Sequence, residues 1–182
     1  MTEYDLLKSL TGLLDDAKEA EQALIKRYDS QFARRTYVRA GFAAVEGLVW
    51  LVKQACHVGA TNMRMELSRA DIALLLDETH ELDSSGSARS KPKFLRLPEN
   101  TRYAFKLAES VFGGPLRIDV QRPEWKAYCT VIRVRNRITH PRSPEELNVL
   151  DAEIDSTVEG LSWLTLHTLV FIDQASAKNI CG

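Results

Sequence analysis

Hydrophobic residues recur every three to four positions along most of the chain, which is the spacing of one face of an α-helix. The first such stripe predicts a helix over residues 2–28, and the second predicts a helix over residues 31–57 that Gly59 would end. The segment SRAD resembles a capping box with a shorter acid and predicts a third helix over residues 70–82. Residues 83–96 are typical of a flexible, basic loop.

Proline and glycine positions mark the remaining helices. Pro98 favours the start of a helix that Gly113 would end, and a further helix is predicted over residues 123–140, before a proline. The segment SPEE is a helix start signal and predicts a last helix over residues 143–175. No strand-like alternation of useful length is visible. The sequence therefore predicts a single all-α domain over residues 1–182, an antiparallel bundle of five or six helices.

Composition is that of a globular protein, with 45% apolar and 27% charged residues. The net charge of −1 hides an uneven distribution. The span from Arg89 to Arg142 holds thirteen Lys or Arg and four Asp or Glu, a net charge of +9, and the rest of the chain carries −10. A basic middle suits a polyanion such as RNA, unless folding scatters these charges over the surface.

The cysteines and the hydrophobic runs bear on location. Cys56, Cys129 and Cys181 are too few and too far apart for a disulfide framework or a cysteine-based metal site. No export signal is visible, and the longest apolar run, residues 41–52, is too short to span a bilayer. We therefore expect a cytoplasmic protein without membrane association.

The most informative segment is RVRNRITHPR, residues 133–142, at the end of a predicted helix. One face of that helix begins as an apolar surface at Trp125 and ends in four polar side chains: Arg135, Asn136, Thr139 and His140. The opposite face is apolar and should enter the core through Val134 and Ile138. Polar groups beside an interface need partners or a substrate. Two interpretations stay open: a functional site, or an ordinary basic helix end.

The hexapeptide RNRITH, residues 135–140, resembles the R-x4-H motif of HEPN domains, in which a polar residue follows the arginine. The segment YVRAGFAAVEGLVWLVKQ also resembles the second helix of stand-alone HEPN-type proteins, and Trp125 upstream fits the same pattern. The resemblance covers about residues 5–170. HEPN domains are all-α domains of prokaryotic toxins, phage-defence systems and RNA-processing proteins.

The resemblance implies a metal-independent endoribonuclease without cofactors, acting as a homodimer whose two motifs meet across the interface. In that picture His140 handles the proton of the RNA 2′-hydroxyl or of the leaving 5′-oxygen. Arg135 would bind the scissile phosphate, and Asn136 would orient the histidine or the phosphate. An antitoxin or another defence protein is a possible partner. The alternative is an inactive HEPN-like module that binds RNA or protein.

Charged residues outside the motif complete the expected site. Glu46 lies inside the apolar run, with Arg39 two turns earlier, and Thr139 joins them as a supporting residue. Glu46 either positions Arg135 or a water, or it forms a structural ion pair. Contacts to the RNA backbone are expected from six cations: Arg133, Arg137, Arg142, Lys91, Lys93 and Arg96. For the lysines and arginine of the 83–96 loop, the alternative is a mobile, solvated loop.

Overall fold

A computed structural model describes residues 3–93 and 95–180. This part of the chain contains six α-helices, one 3-10 turn and one two-stranded sheet. The elements in chain order are α1 (Glu3–Lys26), α2 (Gln31–Asn62), α3 (Arg69–Leu75), β1 (Glu78–Leu82), β2 (Ala88–Pro92), α4 (Leu97–Phe112), α5 (Pro123–Thr139), the 3-10 turn (Pro144–Leu147) and α6 (Asp151–Ile180). The predicted all-α class is confirmed. None of the described helices combines the length and the hydropathy needed to cross a bilayer.

The chain folds into two compact units. The first contains residues up to 51 together with residues 118–170, and the second contains residues 52–117 together with those from 171 onward. The R-x4-H segment belongs to the first unit, and the basic 83–96 segment belongs to the second. The expectation of a single domain over residues 1–182 stays a prediction.

The first unit buries the apolar faces of α1, α2, α5 and α6. Its core joins residues from all four helices and Val149, which precedes α6: Ala20, Leu24, Ala33, Tyr37, Val38, Val134, Ile138, Val149 and Ile154. Gly160 allows α6 to approach α5 closely, because a Cβ atom at this position would lie 2.8 Å from the Cα atom of Tyr128. The apolar face of α5 is therefore fixed against two neighbouring helices before its polar end begins.

Aromatic rings cover the first half of α5. Trp125 stacks on Tyr128 with ring centroids 5.1 Å apart, and Trp163 of α6 meets both rings edge to face at 6.1 and 5.8 Å. His167 stacks on Trp163 at 5.8 Å. The face of α5 that begins at Trp125 thus packs, at this end, on α6 of the same chain.

The second unit packs the last turns of α2 against α4. Gly59 lies inside α2 and does not end it, which corrects the predicted helix stop. The glycine at this position serves packing and does not stop the helix, because a Cβ atom at residue 59 would overlap the ring of Phe112. Lys53 is fully buried in this unit and forms an ion pair with Asp77, which directly precedes β1.

A β-hairpin replaces the second half of the predicted helix 70–82 and part of the predicted loop 83–96, whereas α3 forms the first half of that helix. The Ser68 side chain accepts the Asp71 backbone N–H at 3.0 Å, so the predicted capping interaction is confirmed, but α3 ends at Leu75. Asp77 then adopts a left-handed φ of 52°, and its carbonyl accepts the N–H of Lys93 at 2.7 Å. Both strands are largely solvated, with no residue fully buried, so the sequence lacks apolar alternation there.

The segment after α5 also differs from its prediction. Pro144 begins only a 3-10 turn, and α6 starts at Asp151. The carboxylate of Glu153 accepts the backbone N–H of Leu150 at 3.0 Å, which is the reciprocal half of a capping box. A second start signal downstream therefore determines where the last helix begins.

Candidate active site at the end of helix α5

Helix α5 ends where the sequence predicted. The residue after its last turn, His140, has φ −127° and ψ 59°, and its N–H donates to the carbonyl of Asn136 at 3.0 Å. The hydroxyl of Thr139 donates to the carbonyl of Arg135 at 2.7 Å. Pro141 follows and prevents a further helical turn. The R-x4-H residues thus occupy the last turn and a half of a helix that is anchored by Val134 and Ile138.

Arg135 is held by an aromatic ring and an amide. Its guanidinium carbon lies 4.2 Å from the centroid of the Phe42 ring, and its Nη1 donates to Oδ1 of Asn136 at 3.1 Å. Phe42 is only 5% exposed, so the ring is a rigid support. A cation over an aromatic face keeps the planar group oriented while leaving its edge available to an anion.

One stripe of α2 faces the end of α5. Arg39, Phe42 and Glu46 are spaced three and four residues apart and so share a helix face. The Nη2 of Arg39 donates to the carbonyl of Ile138 at 3.1 Å, which satisfies one of the free carbonyls of the last turn. The structure therefore brings Arg39 to α5 as a helix cap.

Glu46 interacts electrostatically with Arg135. Partial burial raises the pKa of the Glu46 carboxyl above its usual value, and the positive charge of Arg135 opposes this rise. Burial is the larger influence, so the net shift is upward. The side chain of Glu46 is exposed and forms no ion pair within the described residues. Both interpretations of Glu46, as a residue that positions Arg135 or a water and as a structural ion pair, stay predictions.

The remaining motif side chains face solvent. Asn136, Thr139 and His140 are all exposed. Within residues 3–93 and 95–180, the imidazole of His140 has no hydrogen-bond partner. An exposed imidazole at the same helix end as an oriented guanidinium-amide pair can exchange protons with a bound molecule while the guanidinium contacts its negative charge.

The three other arginines of the segment differ in their contacts. Arg137 donates twice to the carboxylate of Glu153, at 2.8 and 2.7 Å, and to the carbonyls of Glu146 and Asn148 at 2.7 Å. It therefore ties the segment after α5 to the start of α6, and an RNA contact would have to compete with these bonds. Arg133 is exposed and donates to Thr130 at 2.8 Å, and Arg142 is exposed.

The predicted cations of the second unit lie on or beside the hairpin. Lys91 pairs with Glu81 across the two strands at 3.1 Å. Lys93 is exposed at the base of the hairpin, and Arg96 immediately precedes α4. Contacts between any of these cations and RNA stay predictions.

Metal-ligating side chains do not cluster in the described ranges: no group of three or more His, Cys, Asp or Glu residues is placed to hold a metal ion there. Cys181 lies outside the described residues. No protein-family model, curated protein sequence or solved structure matches the chain.

Sequence reasoning missed two residues that organise this end of α5. Phe42 supports Arg135, and its signal was its position between Arg39 and Glu46 on one face of α2. Glu153 binds Arg137. The sequence indicated this residue by its position three residues after Leu150, which is the position of the acid in a capping box at the start of α6.

Proposed function

We propose that the chain is a metal-independent endoribonuclease that cleaves RNA with Arg135, Asn136 and His140. One observation carries the proposal. The motif's arginine is oriented by Phe42 and Asn136, while the motif's histidine is exposed and unpaired among the described residues. Such an arrangement suits a small polar site that meets a substrate from solvent.

The proposed reaction is transesterification by the RNA itself. The 2′-oxygen attacks the adjacent phosphorus, the 2′-O–P bond forms, and the P–5′-O bond breaks. His140 accepts the 2′-hydroxyl proton or donates a proton to the leaving 5′-oxygen. Arg135 contacts the phosphate oxygens, on which negative charge accumulates in the transition state. The products are a 2′,3′-cyclic phosphate and a 5′-hydroxyl.

Asn136 and Glu46 take positioning roles in this proposal. The Asn136 side chain shares a hydrogen bond with Arg135 and can donate its amide hydrogens to the phosphate. Glu46 attracts the guanidinium from the α2 side, so that the cation is held at the helix end. Thr139 and Arg39 act through the backbone of the last turn.

We further propose that the active form is a homodimer, as the resemblance to HEPN domains implies. Helix α6 of the same unit carries four apolar side chains at its surface: Val158 at 40% exposure, Leu166 at 64%, Leu169 at 48% and Val170 at 49%. Exposed apolar groups of this kind suit a protein interface. Sedimentation of wild type beside Leu166→Glu tests this step, and a wild-type monomer at high concentration contradicts it.

Purified protein incubated with single-stranded RNA in the presence of EDTA tests the nuclease. We expect cleavage with cyclic-phosphate ends, and a loss of at least about a hundredfold for His140→Ala, a typical contribution of acid–base catalysis. His80→Ala is the matched control, because His80 is exposed on β1 of the second unit. If RNA remains equally intact after incubation with wild type and with folded His140→Ala, the proposal is contradicted.

The second candidate function is RNA binding without cleavage in a toxin-antitoxin or defence setting. One observation favours this function. Arg137 lies within the motif segment, and its bonds to Glu153 and to two carbonyls give it a structural role instead of leaving its guanidinium free for catalysis. This second function is supported if the protein binds RNA without cutting it and if Arg135→Ala weakens the binding.

A further inference from the structure

Helices α2 and α5 run antiparallel where they meet in the first unit. The guanidinium of Arg39 donates to the carbonyl of Ile138, and the guanidinium of Arg135 lies over the ring of Phe42. Rising residue numbers in α2 therefore meet falling residue numbers in α5. Positions of α2 beyond Phe42 follow α5 back from the R-x4-H residues toward its middle.

Four exposed side chains form one stripe along α2. Arg39, Ala43, Glu46 and Trp50 are spaced four, three and four residues apart, so they share a helix face, and all four are exposed. Arg39 contacts the end of α5, and Glu46 interacts electrostatically with Arg135. The stripe therefore begins beside the candidate active site and ends at Trp50.

Trp50 presents a large aromatic side chain to solvent. It is 43% exposed, whereas Trp125 is 9% exposed and packs edge to face with Trp163. In the described part of the chain, Trp50 has no aromatic-ring contact and no hydrogen bond. The exposed part of its indole is therefore available to a ligand, and covering it would remove apolar surface from water.

The helical spacing relates Trp50 to the arginine of the motif. Phe42, which supports Arg135, and Trp50 are eight residues apart, about 12 Å of helix rise. Long side chains of a helix lean toward its N-terminal end, so we expect the indole to cover the turn of Glu46 and to shorten this distance. The separation suits a nucleotide that flanks a phosphate bound at Arg135.

The charges of this surface favour an unpaired base at Trp50. Single-stranded RNA alternates charged phosphates with flat, uncharged bases, and proteins bind such strands with cations and exposed aromatic rings together. Arg135 provides the cation, and Trp50 provides the ring. Glu46 lies one helical turn before Trp50, so its carboxylate disfavours a phosphate beside the indole but not an uncharged base.

We propose that Trp50 is a stacking platform for a base of single-stranded RNA whose neighbouring phosphate contacts Arg135. This inference rests on the proposed binding of RNA at Arg135 and not on its cleavage. Every base has an aromatic face, so the platform tolerates any sequence. A base inside a duplex is already stacked and paired, so the platform selects single strands.

Fluorescence anisotropy with the His140→Ala protein measures RNA binding without interference from cleavage. The probes are labelled oligo(A), oligo(U) and a duplex RNA. Trp50→Leu should weaken binding of both single strands about tenfold, the effect of losing one stacked base, and should leave duplex binding unchanged. Trp50→Phe keeps an aromatic face and should retain most of the affinity.

Met65→Ala is the matched control for exposed apolar area. Met65 is 40% exposed, belongs to the second unit, and should not affect RNA binding. Equal affinity of the parent and Trp50→Leu proteins for both single strands would overturn the proposal, and so would equal losses in Trp50→Leu and Trp50→Phe.

Tryptophan emission reads the stacking contact directly. Oligo(A) should quench the emission of the His140→Ala protein, and most of this quenching should be absent in Trp50→Leu, because Trp125 and Trp163 pack on each other. Quenching that persists in Trp50→Leu would overturn the proposal. A lack of quenching in the parent protein would also overturn it, whatever the stability of the variants.

Sedimentation distinguishes a base platform from a protein interface. Trp50→Leu should leave the oligomeric state unchanged. If this substitution converts a dimer to a monomer, the exposed indole belongs to a contact between subunits, and the proposal is overturned.

The platform and the nuclease can fail separately. RNA that is bound through Trp50 but left intact by wild type keeps the platform and rejects the nuclease. Cleavage by wild type, with single-strand affinity unchanged in Trp50→Leu, keeps the nuclease and rejects the platform.

Discussion

The guanidinium of Arg135 lies over the ring of Phe42, with its central carbon 4.2 Å from the ring centroid. This contact should couple the two residues energetically. In a double-mutant cycle of Phe42→Leu and Arg135→Met, we expect a coupling of about 0.5–1 kcal/mol in the free energy of unfolding measured with urea. The same cycle with Arg133→Met, an exposed arginine of the same helix, should give none. Equal coupling in both cycles would contradict the contact.

Glu46 should make stability depend on pH in a defined direction. Its pKa in the folded protein is raised above 4.5, so the folded state holds this proton more tightly than the unfolded state does. The stabilisation is complete below pH 4.5 and is lost as the pH rises through the raised pKa. Relative to Glu46→Gln, the wild type should therefore lose stability over that window. Urea unfolding at several pH values measures the difference.

Arg135 lowers the pKa of Glu46, so its removal should raise that pKa further. NMR titration of the Glu46 carboxyl in Arg135→Met measures the change. Arg39→Met is the control, because Arg39 lies on the same face of α2 but donates to Ile138. An identical Glu46 titration in wild type and Arg135→Met would show that the charges do not interact.

Arg137 should matter more for stability than its exposed neighbours. Its guanidinium has four hydrogen bonds, two of them to Glu153, and both side chains are mostly shielded from solvent. Arg137→Met leaves the carboxylate and two carbonyls without this donor, so we expect a loss of about 2 kcal/mol in the free energy of unfolding. Arg133→Met should change it by less than about 0.5 kcal/mol. Similar losses for the two variants would argue against the structural role of Arg137.

Two glycine-to-alanine substitutions should act in opposite directions. Gly160→Ala places a methyl group against the backbone of Tyr128, and we expect a loss of about 1–3 kcal/mol despite the better helix propensity of alanine. Gly12→Ala in α1 meets open space and should gain about 0.5–1 kcal/mol. Urea unfolding of both variants measures the contrast. A stabilising Gly160→Ala would mean that α5 and α6 pack less closely than the structure has them.

The ion pair of Lys53 and Asp77 should be costly to break from one side. Lys53 is 0% exposed, so Asp77→Asn leaves a buried charge without its partner and should cost about 3 kcal/mol. Asparagine tolerates the left-handed backbone of residue 77, so the change isolates the lost charge. The double variant Lys53→Met with Asp77→Asn should recover most of the loss. Failure of the second substitution to restore stability would point to a backbone effect.

Local signals predicted α4 and α5 well because each has a proline in its first turn and ends at a glycine or before a proline. Those residues limit the backbone whatever surrounds them. The hairpin could not be predicted in the same way, since β1 and β2 are largely solvated and carry no apolar face. Its turn and its base are instead stabilised by contacts such as that between Lys93 and Asp77.

The residues of the candidate site could be predicted from the sequence, but the side chains that position them could be predicted less well. The helical spacing put Arg135, Asn136 and His140 together at one helix end, and Val134 and Ile138 do enter the core as expected. Which side chain would lie under Arg135 depends on how α2 packs against α5, and no local pattern contains that information. For the same reason, Arg137 could not be distinguished in the sequence from the freely exposed Arg133.

All three tryptophans of the chain, Trp50, Trp125 and Trp163, belong to the first compact unit. Intrinsic tryptophan fluorescence is therefore an optical reporter of that unit alone, and Trp125 and Trp163 report directly on the aromatic contacts that anchor α5. Circular dichroism averages over the helices of both units. Coincident fluorescence and dichroism transitions would identify one cooperative folding unit, and an early fluorescence transition would identify the unit that holds the R-x4-H residues as the first to unfold.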